Sequence, residues 1–346
     1  MSPARWALAV LSFAAAIVVS LYIVLTSWPH AHHTVSVSLT AHAVLLSVAL
    51  LELGARAGKV RLSAASLRIP MTFGTALRAS AGGDFGAAIT PSRTGAEPAR
   101  YLIMGEAGMA PASIILVIFA ELFLEMISLA VVAVAMFFVF RDAGGMITGM
   151  VSLVAMYATF VLGTGALGFV LARRGANGPP PLWAQRIGLH AGRWRAVQRS
   201  LRQLRTGIEG MREMRIGVAL LALLASLAHL VLRLAILPII VYSFGVKAPA
   251  APLILWPVAL MYGSVVVPVP AGGGAIEVAF KEALGHAIPA AVFGASLIWW
   301  RFYTFYLYII LGALAAGGTV LRALRPDAES ATDPIDPVPD REIASY

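Results

Sequence analysis

Long apolar runs recur along this chain, parted by short polar stretches: Trp6–Thr26, Val35–Ala55, Ser113–Phe140, Met146–Ala172, Val218–Gly245 and Ala290–Leu321. A helix needs about 20 mostly apolar residues to cross the hydrocarbon core of a bilayer, so each run predicts one full span. The first is too long for a signal-peptide core, has only Arg5 before it and lacks a clear cleavage site, so it reads as a retained span. Two further segments, about 69–112 and 246–289, are apolar but interrupted by proline and glycine.

Composition agrees with the pattern. The 346 residues are 59% hydrophobic and 12% charged, where an ordinary globular domain carries roughly 25% charged residues. There is no cysteine, which excludes disulfides and thiolate chemistry. The net charge of +9 resembles a nucleic-acid signal until it is located. Residues 173–215 hold ten arginines against Glu209 and Glu213, a net +8, so one loop carries nearly all of the excess. Basic loops stay in the cytoplasm, and the charge is a topology marker with no nucleic-acid partner implied. Within it Val197, Leu201, Leu204, Ile208 and Met211 recur at helical spacing. An amphipathic helix over about 193–214, lying on anionic lipid, is the expectation.

With 173–215 inside, the remaining segments can be threaded. The loop 27–36 has no Lys or Arg and falls outside, which puts the N-terminus inside. Arg56, Lys59, Arg61 and Arg68 form the next cytoplasmic loop, and Ala290–Leu321 runs inward to Arg322 and Arg325, leaving the C-terminus inside as well. Segment 69–112 then leaves and rejoins the cytoplasm, while 246–289 leaves and rejoins the outside. Both are expected to be re-entrant hairpins, from opposite faces. The predicted fold is an all-α polytopic membrane protein, with about six full transmembrane helices plus two re-entrant hairpins in a pseudo-two-fold inverted arrangement. Residues 1–325 form one transmembrane domain, and 326–346 a disordered, acidic, proline-rich tail.

The hairpins carry the candidate chemistry. The first contains Pro91-Ser-Arg93-Thr-Gly95-Ala-Glu97-Pro-Ala-Arg100, the second Pro268-Val-Pro270-Ala-Gly272-Gly273-Gly274-Ala-Ile-Glu277-Val-Ala-Phe-Lys281. Allowing one inserted residue, both read proline, glycine, alanine, glutamate, then a cation. Pro91, Gly95, Pro268 and Pro270 would break the helices. The half-helix starting near Ala275 would turn its positive end toward the turn, a seat for an anion such as phosphate; Glu277 competes for those amides. Arg93 and Arg100 suit a lipid phosphate, since guanidinium pairs with it bidentately. Asp84 and Glu97 would neutralise them or meet a cationic headgroup, and an internal salt-bridge network fixing the hairpin explains the same residues.

Full spans hold charges too. Glu121 and Glu125 share a helix face, as do His229 and Arg233. Each charge at the bilayer centre costs roughly 2.5–3.5 kcal/mol, so these four should face inward, and a Glu125–Arg233 pair across the bundle is economical. Arg301 needs a partner, for which Glu277 is the candidate. The aromatics in IWWRFYTFYLY would line a lipid path or sit in lipid-facing belts. His30, His32 and His33 have no carboxylate nearby and suggest a solvated loop, and no metal or cofactor motif is found.

Residues 84–105, DFGAAITPSRTGAEPARYLIMG, and 268–285, PVPAGGGAIEVAFKEALG, resemble the two signature regions of the flippase-like, lysylphosphatidylglycerol-synthase transmembrane family. The form TPSRTGAEPAR also resembles its hopanoid-locus branch. Ala96 and Ala271 depart from the family pattern, and an appended soluble synthase domain is lacking in this sequence. The resemblance implies a lipid transporter of the bacterial cytoplasmic membrane, moving a polar-headed lipid between leaflets. Arg93, Arg100, Arg233 and Arg301 would then hold its phosphate in turn. Two alternatives stand beside it: an intramembrane headgroup-modifying enzyme using Glu97 or Glu277 as base, and a non-catalytic partner of a lipid-synthesis enzyme.

Overall fold

A computed structural model describes residues 36–90, 92–174, 215–263 and 274–324, with isolated helical positions at Val18, Tyr22, Trp194, Arg195, Gln198, Arg202 and Arg205. Apart from those positions, the expected first span, the outer loop before Ser36, the basic loop from 175 to 214 and the acidic tail lie outside the described residues.

All regular structure described is helical. Helix α1 covers Leu39–Ser66, α2 Phe73–Ala88, α3 Ala96–Glu106 and α4 Pro111–Val139, followed by a 3-10 turn at Arg141–Ala143. Then come α5 Gly145–Arg174, α6 Ile216–Ser243, α7 Ala250–Gly263, α8 Ala275–Leu284 and α9 Ala290–Arg301. A π-helical turn, Phe302–Tyr306, carries α9 into α10, Leu307–Leu324. Among the described residues, five stretches are long and apolar enough to cross a membrane: Leu39–Ser66, Pro111–Val139, Gly145–Leu167, Ile216–Ser243 and Ala290–Thr319. They coincide with the second to sixth apolar runs of the sequence.

One boundary differs with consequence. Helix α1 runs past Ala55 to Ser66, so Arg56, Lys59 and Arg61 belong to the helix and not to a cytoplasmic loop. Residues 55–66 contain no proline, and Arg56 and Lys59 find carboxylate partners inside the bundle. Local signals set the other ends. The Ser38 hydroxyl accepts from the Ala41 N–H at 3.1 Å, the Thr72 hydroxyl accepts from the Thr75 N–H at 3.1 Å, and Pro111 opens α4 where no N–H is required.

Helices α1 and α6 pack antiparallel, because the Arg215 N–H ahead of α6 donates to the Ser66 carbonyl closing α1, at 3.1 Å. That contact puts the end of the basic loop and the end of α1 on one face. Helices α2 and α3 form a hairpin whose open end lies on the same level as the end of α10. There Arg78 bonds Glu106 at 2.9 Å and the Ala315 carbonyl at 3.1 Å, and Thr319 donates to Glu106 at 2.7 Å. Near the closed end the two backbones approach at Gly86 and Gly95, where a Cβ on either glycine would lie 2.5 Å from the other's carbonyl oxygen. The 16 residues of α2 reach about 24 Å, against about 42 Å for the 28 residues of α1.

Helices α7 and α8 also touch each other, and α8 is anchored by Phe280, whose ring lies 5.0 Å from Trp300 and 5.6 Å from Phe293. Trp300, Tyr303 and Tyr308 turn into the core, so part of the aromatic run packs the bundle instead of facing lipid. Around that interior the polarity of a soluble protein is inverted. Phe138 is 72% exposed and Leu314 81%, whereas Glu52 and Lys59 are buried.

Candidate functional site

Glu52, Arg56 and Lys59 are spaced four and three residues apart, which stacks them on one face of α1. Helix α6 answers with His229 and Arg233, α4 with Glu121 and Glu125, and α2 with Asp84. Arg233 Nη1 reaches Glu52 Oε1 at 3.0 Å, and His229 Nδ1 stands 3.4 Å from the same oxygen. Arg56 pairs with Asp84 at 2.7 Å, and Lys59 Nζ lies between Glu125 Oε2 at 2.6 Å and Glu121 Oε1 at 3.1 Å. Tyr308 lies between two of the cations, its ring centroid 5.0 Å from the Arg56 guanidinium and 4.9 Å from that of Arg233.

Glu125 is the most connected member. Besides Lys59 it meets His229 Nε2 at 2.9 Å, the hydroxyl of Tyr262 from α7, and the Ser226 hydroxyl at 3.5 Å. Arg233 also donates to the Thr304 carbonyl at 2.8 Å. Thr304 lies in the π-helical turn, where widened winding alters the backbone bonding. The guanidinium thus bridges Glu52 and the last span.

The first hairpin brings the string to the surface. Its closure rests on Thr90, whose hydroxyl donates to the Gly86 carbonyl at 2.8 Å and accepts from the Gly95 N–H at 2.7 Å. The chain then passes through Ser92 and Arg93 at φ 51° and 57°, a left-handed pair without glycine. This strained turn holds Arg93 3.9 Å from Asp84, its side chain still 31% exposed. On α3, Arg100 joins Glu97 at 3.2 Å to an ion pair with buried Glu121.

The result is one branched string of opposite charges through the bundle, from Glu97 and Arg93 inward to Glu52 and Arg233. Its cations are Arg56, Lys59, Arg93, Arg100 and Arg233; its carboxylates are Glu52, Asp84, Glu97, Glu121 and Glu125. They balance one for one when His229 is neutral. Such balance is what a low-dielectric interior demands, because an uncompensated buried charge costs several kcal/mol.

Asp84, Arg93, Glu97, Arg100, Glu121, Glu125, His229 and Arg233 are therefore brought together, with Gly95 at the start of α3. The expected Glu125–Arg233 pair is not formed: Arg233 takes Glu52, and Glu125 takes Lys59 and His229, since these partners lie directly across the α1–α6, α1–α4 and α4–α6 contacts. The expected Arg301–Glu277 pair is present at 2.9 Å, both side chains buried, and the Arg301 guanidinium stacks 4.4 Å from the Phe305 centroid. Gly274 leads into α8 at φ 77°, and Lys281 lies on that helix's exposed side. Pro91, Pro268, Pro270, Gly272 and Gly273 lie outside the described residues. Glu52, Arg56, Lys59 and Tyr262 are site residues that the apolar-run reading overlooks. The signal for the first three is the helical spacing of residues 52, 56 and 59, lost once the helix is ended at Ala55; Tyr262 has none.

One comparison with known proteins places the chain. The family model for the lysylphosphatidylglycerol synthase TM region matches residues 7–312. No curated protein and no solved structure matches at a significant level. The chain belongs to the lysylphosphatidylglycerol synthase transmembrane-region family, a membrane family associated with lipid modification.

Proposed function

From that membership we propose that this protein is a flippase, moving a polar-headed, phosphate-bearing lipid between the leaflets of the bacterial cytoplasmic membrane. The observation that carries the reading is the charge string itself, which links partly exposed Arg93 and Glu97 to buried Arg233 inside an otherwise apolar shell. Buried ionisable residues within a membrane domain mark substrate pathways. A headgroup phosphate arriving at the first hairpin meets Arg93, the cation least tightly held, and passes to Arg100 and Arg233 by exchanging with their carboxylates. Acyl chains stay in the lipid. The Arg301–Glu277 pair supplies the corresponding station on the outer side.

In this reading the short α2–α3 hairpin is re-entrant from the cytoplasm and α7–α8 from outside, as inverted halves meeting near the midplane. Both termini are cytoplasmic. The test is exchange of fluorescent lipids between leaflets of proteoliposomes, for wild type, Arg93→Ala and Glu277→Gln. Exchange above that of empty liposomes, falling in both variants while they remain monodisperse, supports the proposal. Absence of exchange for anionic and zwitterionic headgroups alike, with a chemically altered lipid in the extract, would replace it with an intramembrane headgroup-modifying enzyme.

A further inference from the structure

His229 is the one member of the string that the charge balance leaves free to change. Its two ring nitrogens face carboxylates on different helices: Nε2 lies 2.9 Å from Glu125 on α4, and Nδ1 lies 3.4 Å from Glu52 on α1. A neutral imidazole has one N–H and one lone pair. If Nε2 donates to Glu125, the Nδ1 lone pair points at an ionised oxygen of Glu52, and the longer of the two contacts is where that repulsion falls. One added proton converts both contacts into donated, charge-assisted hydrogen bonds.

We propose that Glu52, His229 and Glu125 form a proton-binding site whose occupancy is tied to the anion carried by the lipid headgroup. This rests on the transport reading above. Titratable groups among the described residues surround this site on seven helices. From α1, Arg56 lies 3.7 Å from Glu52, and Lys59 bonds Glu125. From α4 comes Glu121, held by Lys59 and Arg100. Tyr262 of α7 donates to Glu125, and Tyr157 of α5 packs its ring 5.6 Å from Tyr262. Arg233 of α6 holds Glu52, Asp84 of α2 holds Arg56, and Tyr308 of α10 lies between the two arginines.

Without ligand, five cations and five carboxylates cancel and His229 is neutral. Binding one singly charged phosphate diester leaves the string at −1. Transfer of one proton from hydronium in the aqueous phase onto the imidazole lone pair restores zero: one O–H bond breaks, one N–H bond forms, and water is left. The loaded and empty sites are then both neutral, the condition that least opposes rearrangement in a low-dielectric interior. A zwitterionic headgroup adds no net charge and calls for no proton. Affinity for an anionic lipid therefore rises as pH falls, and affinity for a zwitterionic one does not.

The experiment is a proton count on the purified full chain in unbuffered detergent micelles with an indicator dye. Short-chain phosphatidylglycerol and phosphatidylcholine are the two probes. Uptake of about one proton per bound phosphatidylglycerol, with none for phosphatidylcholine, is expected. The His229→Gln variant should lose the uptake, and its phosphatidylglycerol affinity should no longer change with pH. If that variant does not fold, nitrogen-15 spectra of wild-type imidazoles give the same answer, both His229 nitrogens becoming protonated on phosphatidylglycerol addition. Binding without proton uptake, or equal uptake in His229→Gln, overturns this inference and leaves the flippase reading intact. Failure of phosphatidylglycerol to bind removes the lipid-phosphate reading and this inference with it.

Discussion

At the scale of single residues, two cations of the string should behave oppositely. Arg93 lies in a strained turn, 3.9 Å from its carboxylate and 31% exposed, so Arg93→Ala removes little stabilising energy. Its effect on unfolding should stay within about 0.5 kcal/mol, while leaflet exchange falls at least about tenfold, the equivalent of one good charge-assisted contact. Lys59 is buried against two glutamates. Lys59→Met leaves the string one positive charge short beside Glu121 and Glu125, and a loss of about 3–5 kcal/mol is expected, read as early loss of the monodisperse peak on heating in detergent. Adding Glu125→Gln should recover part of it, the signature of a coupled pair. The Arg301–Glu277 contact was legible in the sequence, because a lone arginine in a span needs an acid and few were near. The Lys59 contacts were not. A lysine followed by Arg61 and Arg68 looks like the start of a cytoplasmic loop, and only the partner helices reveal that it points inward.

At the scale of elements, hydropathy located the five spans well but misplaced the end of α1 at its first cluster of charges. Hydropathy averages over faces, so it cannot see that Glu52, Arg56 and Lys59 occupy one stripe whose other sides are alanine, leucine and valine. The close fit of α10 against α2 was equally hidden. A Cβ at Gly312 would fall on the Ala81 carbonyl, so that glycine is fixed by the approach of another helix and not by its own. Gly312→Val should separate α2 from α10 and destabilise by about 1–3 kcal/mol, the usual consequence of overpacking. The same substitution at Gly163, where an added Cβ would meet nothing within 4 Å, should change the melting temperature little.

For the whole molecule, the chain has no cysteine, so single introduced thiols report topology cleanly. Leu67→Cys and Met109→Cys, at the end of α1 and beyond α3, should react with an impermeant reagent from one side. Gly144→Cys and Lys247→Cys, beyond α4 and α6, should react from the other. Labelling of Leu67→Cys and Gly144→Cys from the same side would contradict the threading drawn from the basic loop.

The antiparallel pairing of α1 with α6 also sets an order in time. Helix α1 brings Glu52, Arg56 and Lys59 toward the bilayer long before His229 and Arg233 have been translated. Ribosomes add about 5–20 residues per second, so the delay is on the order of ten seconds or more. Glu121 and Glu125 arrive sooner, on α4, and with them the partners of Lys59. During that interval α1 carries three charges that lipid tolerates poorly, and its favourable station is beside the insertion machinery, in contact with water. Biogenesis of this protein is therefore expected to be a waiting process: the first charged helix is released into lipid only as the later ones come to neutralise it.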